Sequence, residues 1–252
     1  MRRICTALQM IGFDLAKAYT SLAEAPYFLR TAIRYARLAR KGPFPFQVLS
    51  ARPMLHDRHQ QAGAIENQYF LQDLWAARKI YEIRPARHLD IGSLIEGFVA
   101  HLLCFMPVEI VDIRPLRMEV AGLSVVQEDA TYLAGIPDNS VESLSSLHAV
   151  EHFGLGRYGD PIDPDAFGHA MAALARVLKP GGQLYFSVPV GRQRVQFNSQ
   201  RIFSPRLILE IFSALRLVSF SAVDDDCRFR ENVDPDSFAG SRCACGLFEF
   251  TK

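Results

Sequence analysis

The chain reads as an α/β protein built on a mostly parallel sheet of about seven strands, preceded by a helical arm. Three observations predict this. From residue 66 onward, helical and strand patterns alternate, the order that lays parallel strands side by side with helices across them. The first three strands of that series run into acids, at Asp90, Asp112 and Glu128-Asp129. The composition, 49% hydrophobic and 22% charged over 252 residues, suits one sizeable domain plus an appendage.

Residues 1–42 form the arm. Ile4, Leu8, Ile11, Leu15, Ala18 and Leu22 recur at steps of four and three, which makes one apolar seam on a helix. Pro26 suits the first turn of a second helix. There Leu29, Ala32, Ile33 and Ala36 form one stripe and Arg30, Arg34, Arg37 and Lys41 another, before Gly42-Pro43 ends it. A helical hairpin is expected. Eight Lys/Arg against Asp14 and Glu24 give residues 1–41 a charge of +6 in a chain whose net charge is +1. Such an arm either presents a solvated basic face or makes peripheral contact with an anionic membrane or a partner. Nucleic acid is disfavoured because aromatics do not interleave with the basic residues as a stacking platform requires.

No apolar run reaches the ~20 residues that span a bilayer. Gln9 and Asp14 interrupt any signal-like start. Five cysteines are an odd, sparse set that argues against a disulfide framework. A cytoplasmic, at most membrane-peripheral, protein is expected. Residues 43–64 read as a linker, and residues 65–252 as the main domain.

In that domain "ENQYFLQDLWAARKIYE" (66–82) is a helix with Phe70, Leu74, Ala77 and Tyr81 on one face. "RHLDIG" is the first strand, "EGFVAHLLCF" (96–105) a helix, "VEIVDIRP" the second strand and "LSVVQEDAT" the third. "NSVESLSSLHAV" is the fourth. Asp163 and Pro164 then open a helix whose buried face holds Phe167, Met171, Leu174 and Leu178, stopped by "KPGG". "QLYFSVP" (183–189) is the fifth strand. A helix near 205–214 leads to "LRLVSFSAVD" and "GLFEFTK", the latter expected as an antiparallel edge.

Ligands of open α/β sheets sit in the crevice outside the carboxyl ends of the strands. A glycine turn after the first strand brings backbone N–H groups close. An acid after the second strand can hold both hydroxyls of a ribose, and one after the third can accept from an adenine amine. The pieces "HLDIGS", "EIVDIR", "QEDAT", "SLSSLHAVEH" and "LARVLKPGGQLYFSVP", in that order, resemble class I S-adenosylmethionine-dependent methyltransferases, a Rossmann-like fold, from about residue 66 to 251. Through "QDLWAARKI", "DIGSLIEGFVAHL" and "EHFGLGRYGDPIDP" the chain is similar to the domain of unknown function 268 family. The resemblance implies S-adenosylmethionine as cofactor, bound by Asp90, Gly92, Ser93, Gly97, Asp112, Ile113, Asp129, Ala130 and His148.

Residues 148–161, "HAVEHFGLGRYGDP", contain two other patterns. His148, Glu151 and His152 match H-x-x-E-H, but a strand ends just before them and Gly154 follows, which leaves no room for a zinc-binding helix. Gly154, Gly156 and Gly159 match G-x-G-x-x-G, but Asp160-Pro161 prevents the helix that a dinucleotide cradle opens. The stretch is instead the loop after the fourth strand, beside cofactor and acceptor.

His152 is the candidate general base, with Glu151 to orient it or bind substrate. Arg157, Tyr158, Asp160 and Asn198 are candidate acceptor contacts, with Arg192 and Arg194 also near the crevice and Gln72 reaching from the other side. No metal site is expected. Cys243-x-Cys245 is too close for zinc, and Asp224, Asp225 and Asp226 read as a solvated loop.

The first loop departs from the usual three-glycine pattern. It reads Asp90-Ile91-Gly92-Ser93-Leu94-Ile95-Glu96-Gly97, so Leu94 or Ile95 would crowd the cofactor. The leading expectation is O-methylation of a polar metabolite or glycan hydroxyl. The alternative is a non-catalytic binding module that docks on a membrane or a glycan-assembly complex. A nicotinamide oxidoreductase is disfavoured for want of a hydride-transfer constellation.

Overall fold

The computed structural model describes residues 14–59 and 68–252. The chain separates into two compact units, residues 1–64 and 65–252.

In the first unit, α1 (Leu15–Leu38) is a single helix of 24 residues. Asp14 caps it, its Oδ1 accepting from the N–H groups of Ala16 and Lys17 at 2.9 and 3.0 Å. The helix runs straight through Pro26, so the expected hairpin does not form. Proline withholds one N–H from the carbonyl four residues back, and a helix this long keeps its other bonds. Ile4, Leu8 and Ile11 lie outside the described residues. Residues 43–59 are tied back to α1 rather than left as a plain linker. Glu24 accepts from Arg58 at 2.8 Å and bonds His59 at 3.0 Å, and the Arg58 guanidinium lies 3.5 Å from the Tyr27 ring centre.

The second unit opens with α2 (Gln68–Ile83), β1 (His88–Ile91), a π-helical turn (Ile95–Val99) leading into α3 (Ala100–Leu103), β2 (Val108–Asp112), β3 (Leu123–Gln127) and β4 (Val141–Leu147). After a 3-10 turn at Val150–His152 come α4 (Ala166–Val177), β5 (Leu178–Val190), β6 (Arg194–Gln196), β7 (Gln200–Ile202) and α5 (Pro205–Ile211). β8 (Arg216–Val223), β9 (Phe229–Arg230) and β10 (Ala244–Thr251) complete the unit.

The main sheet has eight strands in the order β3-β2-β1-β4-β5-β10-β8-β9, and β6 and β7 form a separate ribbon. β3, β2, β1, β4 and β5 are mutually parallel, whereas β10 is antiparallel to both β5 and β8. The last strand is thus antiparallel, as expected, but interior. Its side chains serve both faces, Leu247 joining one core and Phe248 and Phe250 the other, and an edge would leave one of these faces in water.

Both faces of the sheet are covered. One core packs Met171 and Leu174 of α4 and Ile208 of α5 against Leu144, Leu184 and Phe186. The other packs Trp75 and Ile80 of α2, with Phe98 and Leu102, against Ile110, Tyr185 and Leu247. The buried face of α2 is therefore Gln72, Asp73, Trp75, Ala76, Ala77 and Ile80, while Phe70 and Tyr81 are exposed. Helix α4 starts at Ala166, three residues past the expected cap. Asp163 is spent in the preceding turn, where its Oδ1 accepts from the Asp165 N–H. The "KPGG" stretch is not a helix stop but an irregular start to β5.

Phe248 is fully buried, with ring centres of Phe220 and Phe250 at 4.7 and 5.8 Å. Phe248→Ala should lower stability by about 3–5 kcal/mol, read as a fall in the urea midpoint. A cost below 1 kcal/mol would show that this strand is not part of the core.

Candidate active site

A buried polar ladder joins β1 and β4 and runs up to their carboxyl ends. Ser143 Oγ donates to His88 Nδ1 (2.7 Å), His88 Nε2–H donates to Ser145 Oγ (2.9 Å), and Ser145 Oγ donates to Asp90 Oδ1. Asp90 also accepts from the Ser93 N–H (3.0 Å) and Ser93 Oγ (2.6 Å), and Ser93 Oγ in turn accepts from the Leu147 N–H (3.0 Å). Each hydroxyl has one proton, and with His88 neutral and Asp90 ionised every donor of the ladder meets an acceptor. Burial holds His88 down to about 3 and pushes Asp90 up to about 6. At neutral pH both groups are therefore in the state the ladder needs.

The ladder presents the turn at Gly92. Its φ is +67°, and a Cβ there would stand 3.1 Å from the Ala149 Cβ. Glycine satisfies both demands. Above it opens a cavity of about 350 Å³, in the range of small-molecule sites. Gly92, Asp112, Ile113, Asp129, Ala130 and His148 line it, together with His152, Arg157, Tyr158 and Asp160. Leu94 borders this space, half-exposed, and does not close it; Glu96 points to solvent.

Four expected contacts lie elsewhere. Asp90 and Ser93 are buried beneath the cavity as the ladder that shapes the turn. Gly97 meets a different need, since a Cβ there would fall 2.2 Å from Asp73 Oδ2. Asn198 is exposed at the tip of the β6–β7 ribbon, and Gln200 lines the cavity instead. Arg192 and Arg194 are also outside the lining, with Arg194 donating to the carbonyls of Arg192 and Arg242.

The loop after β4 carries the reactive groups. His148 stands at φ +51°. Its Nδ1–H donates to Gln72 Oε1 (2.6 Å), and its Nε2 accepts from Gln68 Nε2 (2.8 Å). Both nitrogens are thereby satisfied, and burial lowers its pKa to about 3. It is a wall of the site, not a base. His152 differs. Its Nδ1–H donates to the Ser199 carbonyl (2.7 Å), which leaves a bare lone pair on Nε2. Burial above all lowers its pKa to about 4. The imidazole is neutral at physiological pH.

Glu151 lies behind His152, fully buried and outside the cavity lining, with Oε1 3.7 Å from His152 Nε2. Neither carboxyl oxygen has a hydrogen-bond partner among the described residues. Burial pushes its pKa up to about 8, so at neutral pH it is a neutral acid.

The loop is held by Arg201, whose guanidinium donates to the Phe153 and Pro164 carbonyls. Gly154 has φ +72° and no room for a Cβ, with the Asp163 carbonyl at 1.9 Å. The glycines of this stretch are turn formers, and among the described residues no group of His, Cys, Asp or Glu is arranged to hold a metal.

Sequence reasoning missed some participants. Arg114 clasps Asp112 through its backbone N–H (2.8 Å), Nε (2.9 Å) and Nη2 (2.6 Å), and its guanidinium sits 4.8 Å from the Tyr158 ring centre. Arg157 approaches the same ring at 5.1 Å and donates to the Ser199 carbonyl. The two arginines and Tyr158 cross the mouth of the cavity. Arg114 could have been suspected from "DIRP", because a side chain two residues past a strand-end acid can fold back on it. Ser199 contributes only a carbonyl, which no motif reports. Asp224 and Asp225 bind loop N–H groups and arginines, consistent with a loop-ordering use.

The family model described as Caenorhabditis protein of unknown function, DUF268, matches residues 122–230. No curated protein matches the chain. Solved structures share the fold. The 1,6-didemethyltoxoflavin-N1-methyltransferase of Burkholderia thailandensis, solved with its namesake ligand and S-adenosylhomocysteine, is 17% identical over 73% of this chain and 79% of that one, with a TM-score of 0.52. The N-methyltransferase NodS of Bradyrhizobium japonicum WM9, with S-adenosylhomocysteine, is 15% identical over 76% and 89%, with a TM-score of 0.50. The 4+2 cyclase SpnF is 16% identical over 80% and 84%, with a TM-score of 0.53. The fold is that of the class I methyltransferases, and the cyclase activity of SpnF shows that the fold does not dictate one reaction.

Glu151 makes stability depend on pH. Its folded-state pKa of about 8 lies above the ordinary 4.5. The stability of its protonated form is therefore complete below about 4.5 and lost as pH rises through about 8. Glu151→Gln should match wild type near pH 4.5 and gain on it up to about pH 8, by an amount on the order of a few kcal/mol. Thermal melts across pH 4.5–9 check this, and a gap independent of pH would show that Glu151 is not buried as an acid.

Proposed function

We propose that the second unit is an S-adenosylmethionine-dependent methyltransferase that acts on a hydroxyl of a polar small molecule or a glycan under construction. One observation carries the reading. The cavity at the carboxyl ends of β1 to β4 has strand-end carboxylates Asp112 and Asp129 on its rim, a side-chain-free approach at Gly92 and a neutral imidazole, His152, in its wall. These residues fit the cofactor. Asp112 would hold the ribose hydroxyls; Asp129 and Ala130 would meet the adenine; Val111, Ile113 and Phe153 supply the apolar sides. The cofactor, when bound, supplies a methyl group made electrophilic by a sulfonium. The structural relatives solved with S-adenosylhomocysteine support the same reading.

The chain's own residues then have three tasks. The cavity walls hold donor and acceptor in line, which is most of what a displacement at an activated carbon requires. Arg157, Tyr158 and Asp160 orient a polar acceptor at the mouth. His152 Nε2 takes the proton that a hydroxyl must lose, while Nδ1–H stays fixed on the Ser199 carbonyl. A neutral amine needs no such base, so His152 favours a hydroxyl. Glu151, a neutral acid with Oε1 3.7 Å from Nε2, adds no charge that would favour an imidazolium, so His152 rests neutral.

Arg114 supports a second reading. Its clasp on Asp112 occupies the carboxylate that a ribose requires, as a binding module without cofactor would tolerate. Calorimetric titration with S-adenosylmethionine separates the two. The enzyme reading expects binding that Asp112→Ala abolishes and that Arg114→Ala tightens several-fold by removing the competitor. Silence from all three proteins would sink it. With methyl transfer followed from labelled cofactor across a panel of sugars and hydroxylated metabolites, His152→Gln should lower turnover by about 10²-fold or more while leaving cofactor affinity within about twofold of wild type. Unchanged turnover removes His152 from the mechanism.

A further inference from the structure

The cavity reading leaves the first unit unused, and its surface is unusual. No residue of α1 is buried, and Leu22, Leu29 and Ile33 are 76, 60 and 54% exposed. At about 100° per residue, these three fall with Leu15 on one line of the helix. Arg30, Arg34 and Arg37, all exposed, fall on the line beside it. Among the described residues the only acid within α1 is Glu24, on the opposite side and engaged by Arg58 and His59. Past the helix, Phe44, Val48 and Leu49 are further exposed apolar residues of this unit, at 76, 78 and 95%.

From these observations we propose that α1 lies flat on an anionic lipid surface, with its leucine line in the acyl boundary and its arginines at the phosphates. The charge pattern selects this occupant. A solvated helix carries acids among its bases and few large apolar groups. Here the apolar line is bare, the flank is wholly cationic, and the single acid is turned away and neutralised. Long arginine stems let the guanidinium reach the headgroup level while the leucines sink below it. The helix is about 36 Å long at 1.5 Å per residue, yet among the described residues no helix is long and apolar enough to cross a membrane. A convex stripe of this length suits a soft plane better than a compact protein pocket. The proposal does not depend on methyl transfer.

Co-sedimentation of the full chain with vesicles tests it, using neutral phosphatidylcholine alone or with about one third phosphatidylglycerol. The chain should pellet with the anionic vesicles, at least about tenfold more weakly with the neutral ones, and be released by about 0.5 M salt. Replacing Arg30, Arg34 and Arg37 together by Gln should weaken partitioning on the order of a hundredfold, whereas replacing them by Lys should retain it. Leu22→Asp with Leu29→Asp should also abolish it. Circular dichroism checks that each variant keeps its helix content. If a Gln variant does not, the wild-type and Lys proteins decide by their preference for anionic over neutral vesicles. Three results overturn the proposal: no pelleting with either vesicle, equal pelleting with both, or a solution dimer that Leu22→Asp converts to monomer.

Discussion

The hydrogen-bond ladder from Ser143 through His88, Ser145 and Asp90 to Ser93 is the constraint on which the site depends. It lies inside the sheet, where each of these groups is almost wholly withdrawn from water, so every unmade bond would cost the full desolvation of its partner. The ladder works only with the strands in one register, Leu89 opposite Leu144 and Asp90 opposite Ser145. By tying Ser93 to the Leu147 N–H, it fixes where β1 turns and where β4 ends. Both the glycine turn and the reactive loop start from that point.

From there the site is a study in burial. His148 and His152 are four residues apart, both lowered below the ordinary imidazole range by desolvation. Their hydrogen bonds give them opposite uses. His148 has a partner on each nitrogen. His152 has its proton pinned on Ser199 and a lone pair left over. Glu151 is the uncompensated element, a carboxyl with no partner on either oxygen among the described residues. Buried polar groups are as a rule hydrogen-bonded, and this one is kept neutral by its burial.

The mouth of the cavity is governed by charge rather than packing. Asp112 ends β2 and is answered by Arg114, which stacks with Arg157 about Tyr158. Arg114 and Tyr158 are partly open to solvent while the Asp112 side chain is mostly shielded, so it is the arginine side of the clasp that is open to exchange. The buried ladder holds the floor still, while the clasp leaves the entrance adaptable.

Much of this was legible in the sequence because its signals are local. Strand–helix alternation, acids at strand ends and the glycine turn at Gly92 each follow from neighbouring residues; they anticipated β1 to β5 and the loop after β4, and Asp112 and Asp129 line the cavity. What the tertiary structure decided involves groups distant in the chain. Asp90 and Ser93 became internal supports because Ser145 and Leu147 arrive from another strand. Gly97 answers to Asp73, and Gln200 displaced Asn198 because the ribbon folds over. Pro26 failed to break its helix because helix continuity depends on all the remaining bonds, not on one residue. Periodicity and motif report what a residue is suited to do. Only the packed neighbours, by removing water and offering partners, determine which of those uses it takes.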